Sequence, residues 1–153
     1  YFGETSAMDN LKIHATAKAS LNIIYCIGES RQERDNDMTA DILSIQLEEG
    51  LRDLKGGQLE KIIIAYEPVW SVGTDIIPTS NEIMEAKIII RKILGQMYGA
   101  KNSLKSPILY GGDVKPENVE KLCIEPGMDG VLVGRESLIP HEFIKIASII
   151  DTN

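Results

Sequence analysis

Four short apolar runs, separated by longer segments with helical patterning, limit the possible folds of this chain more than any other feature. The runs cover 23–27, 62–66, 107–110 and 131–133, and polar residues do not alternate with apolar ones in any of them. Strands of a parallel sheet have this pattern because helices cover both faces of the sheet. The pattern therefore predicts an α/β fold with about four parallel strands joined by right-handed crossovers.

The segments between the runs predict the helices. Helical patterning extends, in order, over 8–19, 39–54, 79–99, a shorter segment from Pro116 and a last one from Pro140. Thr79 with Glu82 three residues later is typical of a capping box, and Gly99 is a suitable residue for the end of that helix. No linker rich in Ser, Gly or Pro divides the chain, so we expect its 153 residues to form one folding unit.

Charge and cysteine content exclude several classes of function. The chain has 16 basic and 23 acidic residues, a net charge of −7, which argues against a nucleic-acid-binding protein. No apolar run approaches the roughly 20 residues that a membrane span needs. Two cysteines are too few for a disulfide framework, so we expect reduced thiols and a cytoplasmic location. Residue 1 is Tyr rather than Met, so we expect the natural chain to begin earlier.

The segment after the second run is a candidate active site. Glu67 ends an apolar run, and the stiff stretch Pro68-Val69-Trp70 leads to the flexible Gly73. A carboxylate at the end of a strand can act as a general base, and a segment hinged in this way suits a lid that excludes water. The residues alone leave open the alternative that Glu67 is a surface carboxylate and Trp70 a core residue.

Glycines follow the third and fourth runs, in Gly111-Gly112-Asp113 and Gly134-Arg135. Their backbone N–H groups could bind an anion, but ordinary tight turns explain these glycines equally well.

Neither His14 nor His141 has a metal-ligand partner at suitable spacing, so we expect no metal site. We expect Cys26 to be a small core residue and the acidic stretch 29–37 to be a solvated loop leading into a helix.

Together these segments resemble the triosephosphate isomerase family, in that family's order and spacing. The segments that carry the resemblance are Tyr25-Cys26-Ile27-Gly28-Glu29, Ala65-Tyr66-Glu67-Pro68-Val69-Trp70 with Gly73-Thr74, Tyr110-Gly111-Gly112, and Asp129-Gly130-Val131-Leu132-Val133-Gly134. The opening Tyr1-Phe2-Gly3-Glu4-Thr5 resembles the segment after the family's fourth strand. The match covers the whole chain but only the second half of the family's (β/α)8 barrel, so the resemblance implies a partial barrel.

The resemblance also implies a function and a site. The family interconverts dihydroxyacetone phosphate and glyceraldehyde 3-phosphate, in glycolysis and gluconeogenesis, through an enediolate and without a cofactor. Glu67 matches its general base. The positions that match the family's closing lid are Pro68, Val69, Trp70, Ser71, Val72, Gly73 and Thr74. Gly73, Gly134 and Arg135 match backbone donors to the substrate phosphate, and Asp113 stands where the family has a phosphate-binding Ser.

Some positions depart from the family's pattern. Asp113 would face a dianionic phosphate unless a cation pairs with it, and Arg135, where the family usually has Gly, is the candidate cation. Asp75 replaces a Gly of the lid and adds a further negative charge. The family's catalytic Lys and electrophilic His, on its first and fourth strands, match no position here. We therefore expect the chain alone to be inactive.

We interpret the chain as the second half of an isomerase that forms a homodimer. Two alternatives to this interpretation stay open. A complete, non-catalytic half-barrel with a residual phosphate site would expose sheet edges and would favour self-association. A different phosphate-binding barrel enzyme would share only the last two loops, and the segment around Glu67 argues against it.

Overall fold

The computed structural model describes residues 5–74 and 76–152, so the opening segment 1–4 and the lid position Asp75 lie outside the described residues. Three parallel strands form one sheet in the order β1-β2-β3. They are β1 (Ile23–Ile27), β2 (Ile62–Tyr66) and β3 (Ile108–Tyr110). In this register Ile23 lies opposite Ile62, and Ile64 opposite Ile108. The first three apolar runs are therefore strands, as predicted.

Six α-helices connect and flank the strands in the described part of the chain. They are α1 (Ser6–Lys18), α2 (Arg31–Asp35), α3 (Thr39–Gly50), α4 (Ser80–Tyr98), α5 (Ala100–Ser103) and α6 (Pro140–Asp151). Three short helical segments accompany them, a 3₁₀ turn at Gly56–Lys61, a π-helical turn at Glu120–Ile124 and a 3₁₀ turn at Arg135–Leu138. The strand–helix alternation and the parallel sheet are those of a partial α/β barrel.

The longest helix, α4, begins as its sequence predicts. The Thr79 hydroxyl accepts a hydrogen bond from the N–H of Glu82, and the Glu82 carboxylate accepts one from the N–H of Thr79. The buried residues of α4 recur every three or four positions, so they lie on one face, which belongs to the hydrophobic core. They include Ile83, Ile90 and Leu94, which have no exposed surface.

The fourth apolar run differs from the prediction. Val131 forms a single parallel bridge with Tyr110, and the N–H of Leu132 donates to the Tyr110 carbonyl at 2.8 Å. Since no strand among the described residues pairs with its other edge, the run is not extended into a regular strand. The helix predicted from Pro116 is likewise reduced to a turn followed by Glu120–Ile124.

The two faces of β1 differ in burial. Ile23, Tyr25 and Ile27 belong to the hydrophobic core, and the Tyr25 hydroxyl donates to the Gln46 carbonyl on α3 at 2.8 Å. Ile24 and Cys26, on the opposite face, are exposed. The prediction that Cys26 is a core residue was therefore wrong, because no described element covers this face of β1.

No helix in the described part of the chain is long and apolar enough to cross a membrane.

Candidate active site

Glu67 lies at the carboxyl end of β2, held between the two neighbouring strands. Its N–H donates to the Ile27 carbonyl at 2.7 Å, while the N–H of Gly111 donates to the Tyr66 carbonyl at 2.9 Å. These bonds continue the ladder of the sheet one step beyond the regular strands. The sheet therefore fixes the backbone of Glu67, and this limits the positions that its half-buried side chain can take.

Two glycines make room for Glu67. A Cβ atom on Gly28 would lie 2.0 Å from the Glu67 carbonyl oxygen, and one on Gly111 would lie 2.5 Å from the Glu67 Cγ. Neither position can carry a side chain unless Glu67 moves. The glycines that follow β1 and β3 are thus explained by close approach to Glu67.

The Glu67 carboxylate contacts the thiol of Cys26 on β1. Burial raises the pKa of Glu67, and the hydrogen bond from Cys26 partly opposes that rise. Partial burial of the Cys26 sulfur beside Glu67, together with the charge of Glu67 and this hydrogen bond, raises the pKa of Cys26 to about 12. Cys26 is therefore a neutral donor to the carboxylate rather than a nucleophilic thiolate. Both groups line a cleft of about 190 Å³, together with Ile27, Gly28, Gln46, Val69 and Val72.

The segment 68–74 runs from Glu67 over this end of the sheet, and its first half is firmly held. Trp70 is 7% exposed, and its indole Nε1 donates to the Glu29 carboxylate at 2.9 Å. The N–H of Val69 donates to the Glu29 carbonyl at 3.0 Å. Ser71, also buried, donates from its hydroxyl to the Pro68 carbonyl at 3.0 Å.

The second half of the segment has fewer contacts. Thr74 donates from its hydroxyl to the Trp70 carbonyl at 3.0 Å, and Val72 lines the cleft. Gly73 adopts a φ of 69°, a conformation that favours glycine, and a Cβ there would meet no atom within 4 Å. The segment therefore has a fixed base at Trp70 and an unobstructed tip at Gly73.

Glu29, which the sequence placed in a solvated loop, is fully buried. Its carboxylate accepts hydrogen bonds from the Tyr66 hydroxyl at 3.1 Å and from Trp70, and it pairs with Arg34 at 3.0 Å. The prediction was wrong because the partners that neutralise and satisfy this carboxylate come from β2, the segment after it and α2. Most of the stretch 29–37 also forms α2 rather than a loop.

Arg34 extends this buried network to α4. Its Nη2 lies 2.7 Å from the Glu82 carboxylate, and its guanidinium lies 5.1 Å from the centre of the Trp70 ring. Burial alone would raise the pKa of Glu82, but hydrogen bonds from Thr79 and from Arg34 outweigh it and lower the pKa. Glu82 therefore joins the start of α4 to the base of the segment 68–74.

One carboxylate and two cations lie close together where the loop after β3 meets the loop after the fourth apolar run. The Asp113 carboxylate lies 3.0 Å from the Nζ of Lys115 and 3.8 Å from the Nη2 of Arg135. Gly134 precedes the 3₁₀ turn, and its carbonyl accepts hydrogen bonds from the N–H and hydroxyl of Ser137 at 3.0 and 2.7 Å. Arg135 thus lies beside Asp113, as expected of the cation that pairs with it, and Lys115 is a nearer cation.

The structure brings the candidate residues together in two groups at one end of the sheet. Glu67 and the segment 68–74 form one group, which the Ser71 and Tyr110 hydroxyls, 3.4 Å apart, join to β3. Asp113, Gly134 and Arg135 form the other. Glu29, Gln46 and Lys115 were not among the site residues predicted from the sequence. Only Glu29 had a usable signal, since it follows the Gly at the end of β1 much as Glu67 ends β2.

Comparison with known proteins extends this picture. The family profile described as triosephosphate isomerase matches residues 1–150. The relative named triosephosphate isomerase from Geobacter metallireducens is 46% identical over 143 residues, which cover 94% of this chain and 57% of the relative. Those of the same name from Trichlorobacter lovleyi and Moorella thermoacetica are 40% and 42% identical, over 95% and 97% of this chain. The chain spans 57% to 59% of the length of these three relatives.

Proposed function

Because this chain belongs to the triosephosphate isomerase family, we propose that the gene product that contains it interconverts dihydroxyacetone phosphate and glyceraldehyde 3-phosphate. The observation that carries the proposal is the placement of Glu67, whose carboxylate lines a cleft at the carboxyl end of a parallel strand. Catalytic groups of α/β barrels lie at that end of the strands. The proposed pathway context is glycolysis and gluconeogenesis.

In this proposal Glu67 is the general base. An ionised Glu67 takes a proton from one carbon of the triose and returns it to the adjacent carbon, so the carboxylate is regenerated in each cycle. Burial already raises its pKa, which makes the carboxylate a stronger base than a solvated one. Exclusion of water by a closed lid would raise it further. Cys26 donates a hydrogen bond that orients the carboxylate without competing for the substrate proton.

Pro68–Thr74 is the proposed lid. Its base is fixed by the bonds of Trp70 and Val69 to Glu29, so closure takes place beyond Trp70. Gly73, with no neighbour near its Cβ position, is free to move and to present its N–H to a phosphate. Gly134 and Arg135 are the proposed backbone donors from the last loop, and Asp113 lies beside them.

The proposal concerns the whole protein rather than these residues alone. The resemblance assigns the carbonyl-polarising Lys and His to positions that this chain does not match, so we expect the isolated 153-residue chain to lack isomerase activity. Loss of such a group costs on the order of 10²–10³ in rate.

We further propose a cofactor-free, metal-free homodimer in the cytoplasm, where the thiols of Cys26 and Cys123 stay reduced. One hydrophobic core that reaches from Ile13 to Ile146 supports a single folding unit.

The exposed face of β1 favours a second candidate for the chain by itself, a self-associating half-barrel. Ile24 is 50% exposed there, and β1 is an edge strand with unpaired backbone groups among the described residues. Such an edge favours pairing with another strand.

Isomerase turnover of the gene product tests the proposed function. We expect turnover with both triose phosphates, and we expect Glu67→Gln to lower kcat by about 10³-fold or more. The matched control is Glu60→Gln, which removes a carboxylate that is 61% exposed and remote from the cleft. A gene product without isomerase activity, or one in which both variants turn over equally fast, would contradict the proposal.

A further inference from the structure

Asp113 is an unusual group to find beside a proposed phosphate site, and its backbone is held in place. The Asn118 side-chain amide donates to the Asp113 carbonyl at 2.9 Å and accepts from the N–H of Lys115 at 2.7 Å. Only 18% of the Asp113 side chain is exposed. This carboxylate therefore cannot retreat into solvent when an anion approaches, and it needs a cation.

Of the two cations next to Asp113, Lys115 is shared with other carboxylates. The pKa of Lys115 is raised by its hydrogen bond to Asp113 and also by the charges of Glu136 and Glu117. Asp113, at 3.0 Å, is the main partner of Lys115, but the carboxylates of Glu117 and Glu136 also act on it. One lysine cannot balance three carboxylates, so this loop keeps a net negative charge unless a second cation lies beside it.

Arg135 is the cation that remains. Its Nη2 lies 3.8 Å from the Asp113 carboxylate, beyond hydrogen-bonding distance, and 76% of its side chain is exposed. A guanidinium held this loosely can turn toward an incoming anion while it stays close to Asp113. Asp113 and Arg135 thus combine a fixed negative charge with a mobile positive one.

We propose that Arg135 is an anion-binding residue whose side chain offsets the charge of Asp113 and allows this loop to accept a phosphate dianion. The inference rests on the proposed function for the identity of the anion. It adds that the guanidinium of Arg135, and not only its backbone N–H, is needed for binding, and that the need arises from Asp113. The two residues act as a coupled pair.

Calorimetric titration of the gene product with inorganic phosphate tests the coupling. We compare the wild type, Arg135→Gln, Asp113→Asn and the double variant, with Arg52→Gln as a control that removes an exposed guanidinium elsewhere. Arg135→Gln is expected to weaken phosphate binding about tenfold, the effect of one unit charge on a dianion about 6 Å away in a largely solvated site. With Asn at 113, Lys115 loses its partner at 3.0 Å and can serve the anion in place of Arg135. The same substitution should then weaken binding less than about threefold. Asp113→Asn alone should tighten binding, and Arg52→Gln should leave it unchanged.

Equal losses from Arg135→Gln in both backgrounds, no loss in either, or no phosphate binding by the wild type would overturn the inference. Isomerase turnover of the same wild-type sample distinguishes the two proposals. Turnover accompanied by equal losses overturns the coupling and leaves the proposed function standing. The coupled pattern without turnover supports the pair as an anion site and overturns the proposed function.

Discussion

Replacing Glu29 with Gln removes the charge at the centre of the network that fixes the base of the lid. In the wild type this fully buried carboxylate accepts hydrogen bonds from Tyr66 and from Trp70 and pairs with Arg34 at 3.0 Å. Glutamine has the same shape, but one of its two terminal groups is an NH₂ donor. Of the three partners only the Tyr66 hydroxyl can accept a hydrogen bond from that group, because the Trp70 indole and the Arg34 guanidinium are donors only.

The loss of stability expected for Glu29→Gln depends on which charged partner Arg34 keeps. A buried charge that loses its only partner costs about 3–5 kcal/mol. Arg34 keeps a second partner, Glu82 at 2.7 Å, and its side chain is 17% exposed. The cost is therefore smaller, and weakening two charge-assisted hydrogen bonds adds to it. We expect Glu29→Gln to lower the free energy of unfolding by about 2–3 kcal/mol.

Urea unfolding of the gene product, followed by circular dichroism, measures this difference. At an unchanged slope the midpoint should fall by about 1 M. Glu60→Gln is the matched control, since its exposed carboxylate lies 3.8 Å from Lys105 and should contribute less than about 0.5 kcal/mol. A Glu29→Gln midpoint that equals that of Glu60→Gln would refute the reasoning that the lid base depends on a buried charge.

Three further predictions concern the cleft and the exposed sheet face. Burial raises the pKa of Glu67, so the folded state favours the protonated carboxyl group. The resulting stabilisation is fully present below the ordinary pKa of a glutamate and is lost as the pH rises through the raised pKa of Glu67. Glu67→Gln should therefore be more stable than the wild type at pH 7 and equal to it near pH 4, as urea unfolding at the two pH values would show; a less stable variant at pH 7 contradicts this. Gly111→Ala should lower kcat by at least about tenfold, since its Cβ would lie 2.5 Å from the Glu67 Cγ, whereas Gly57→Ala meets no atom within 4 Å and should leave turnover unchanged. The isolated 153-residue chain should self-associate, because β1 has an unpaired edge and an exposed face among the described residues. Sedimentation equilibrium measures this, and a monomer at all concentrations contradicts it.

The sequence predicted best those parts of the fold that local chemistry determines. Unbroken apolar runs rich in β-branched residues identified β1 and β2, and the reciprocal cap between Thr79 and Glu82 identified the start of α4. In each case the residues that decide the structure are neighbours in the chain. The positive φ of Gly73 likewise belongs to a residue whose flexibility the sequence indicated.

The sequence could not predict features that depend on distant partners. Glu29 is buried because Arg34, Tyr66 and Trp70 converge on it, and two of these are more than 30 residues away. Cys26 was expected in the core because its run is apolar, but its exposure depends on what covers that face of the sheet. The pairing of Asp113 with Arg135 was expected only because the resemblance placed both residues at one phosphate site. Lys115 was missed although it is two residues from Asp113, because its contact depends on the turn that brings its Nζ within 3.0 Å.

Deuterium incorporation measures the proton transfer assigned to Glu67 most directly. The gene product is incubated with dihydroxyacetone phosphate in D₂O, and carbon-bound deuterium in substrate and product is followed by NMR. The account predicts rapid incorporation by the wild type and by the control Glu60→Gln, and a rate lower by about 10³-fold or more for Glu67→Gln. Incorporation by Glu67→Gln within about tenfold of the wild-type rate would contradict the assignment of Glu67 as the base.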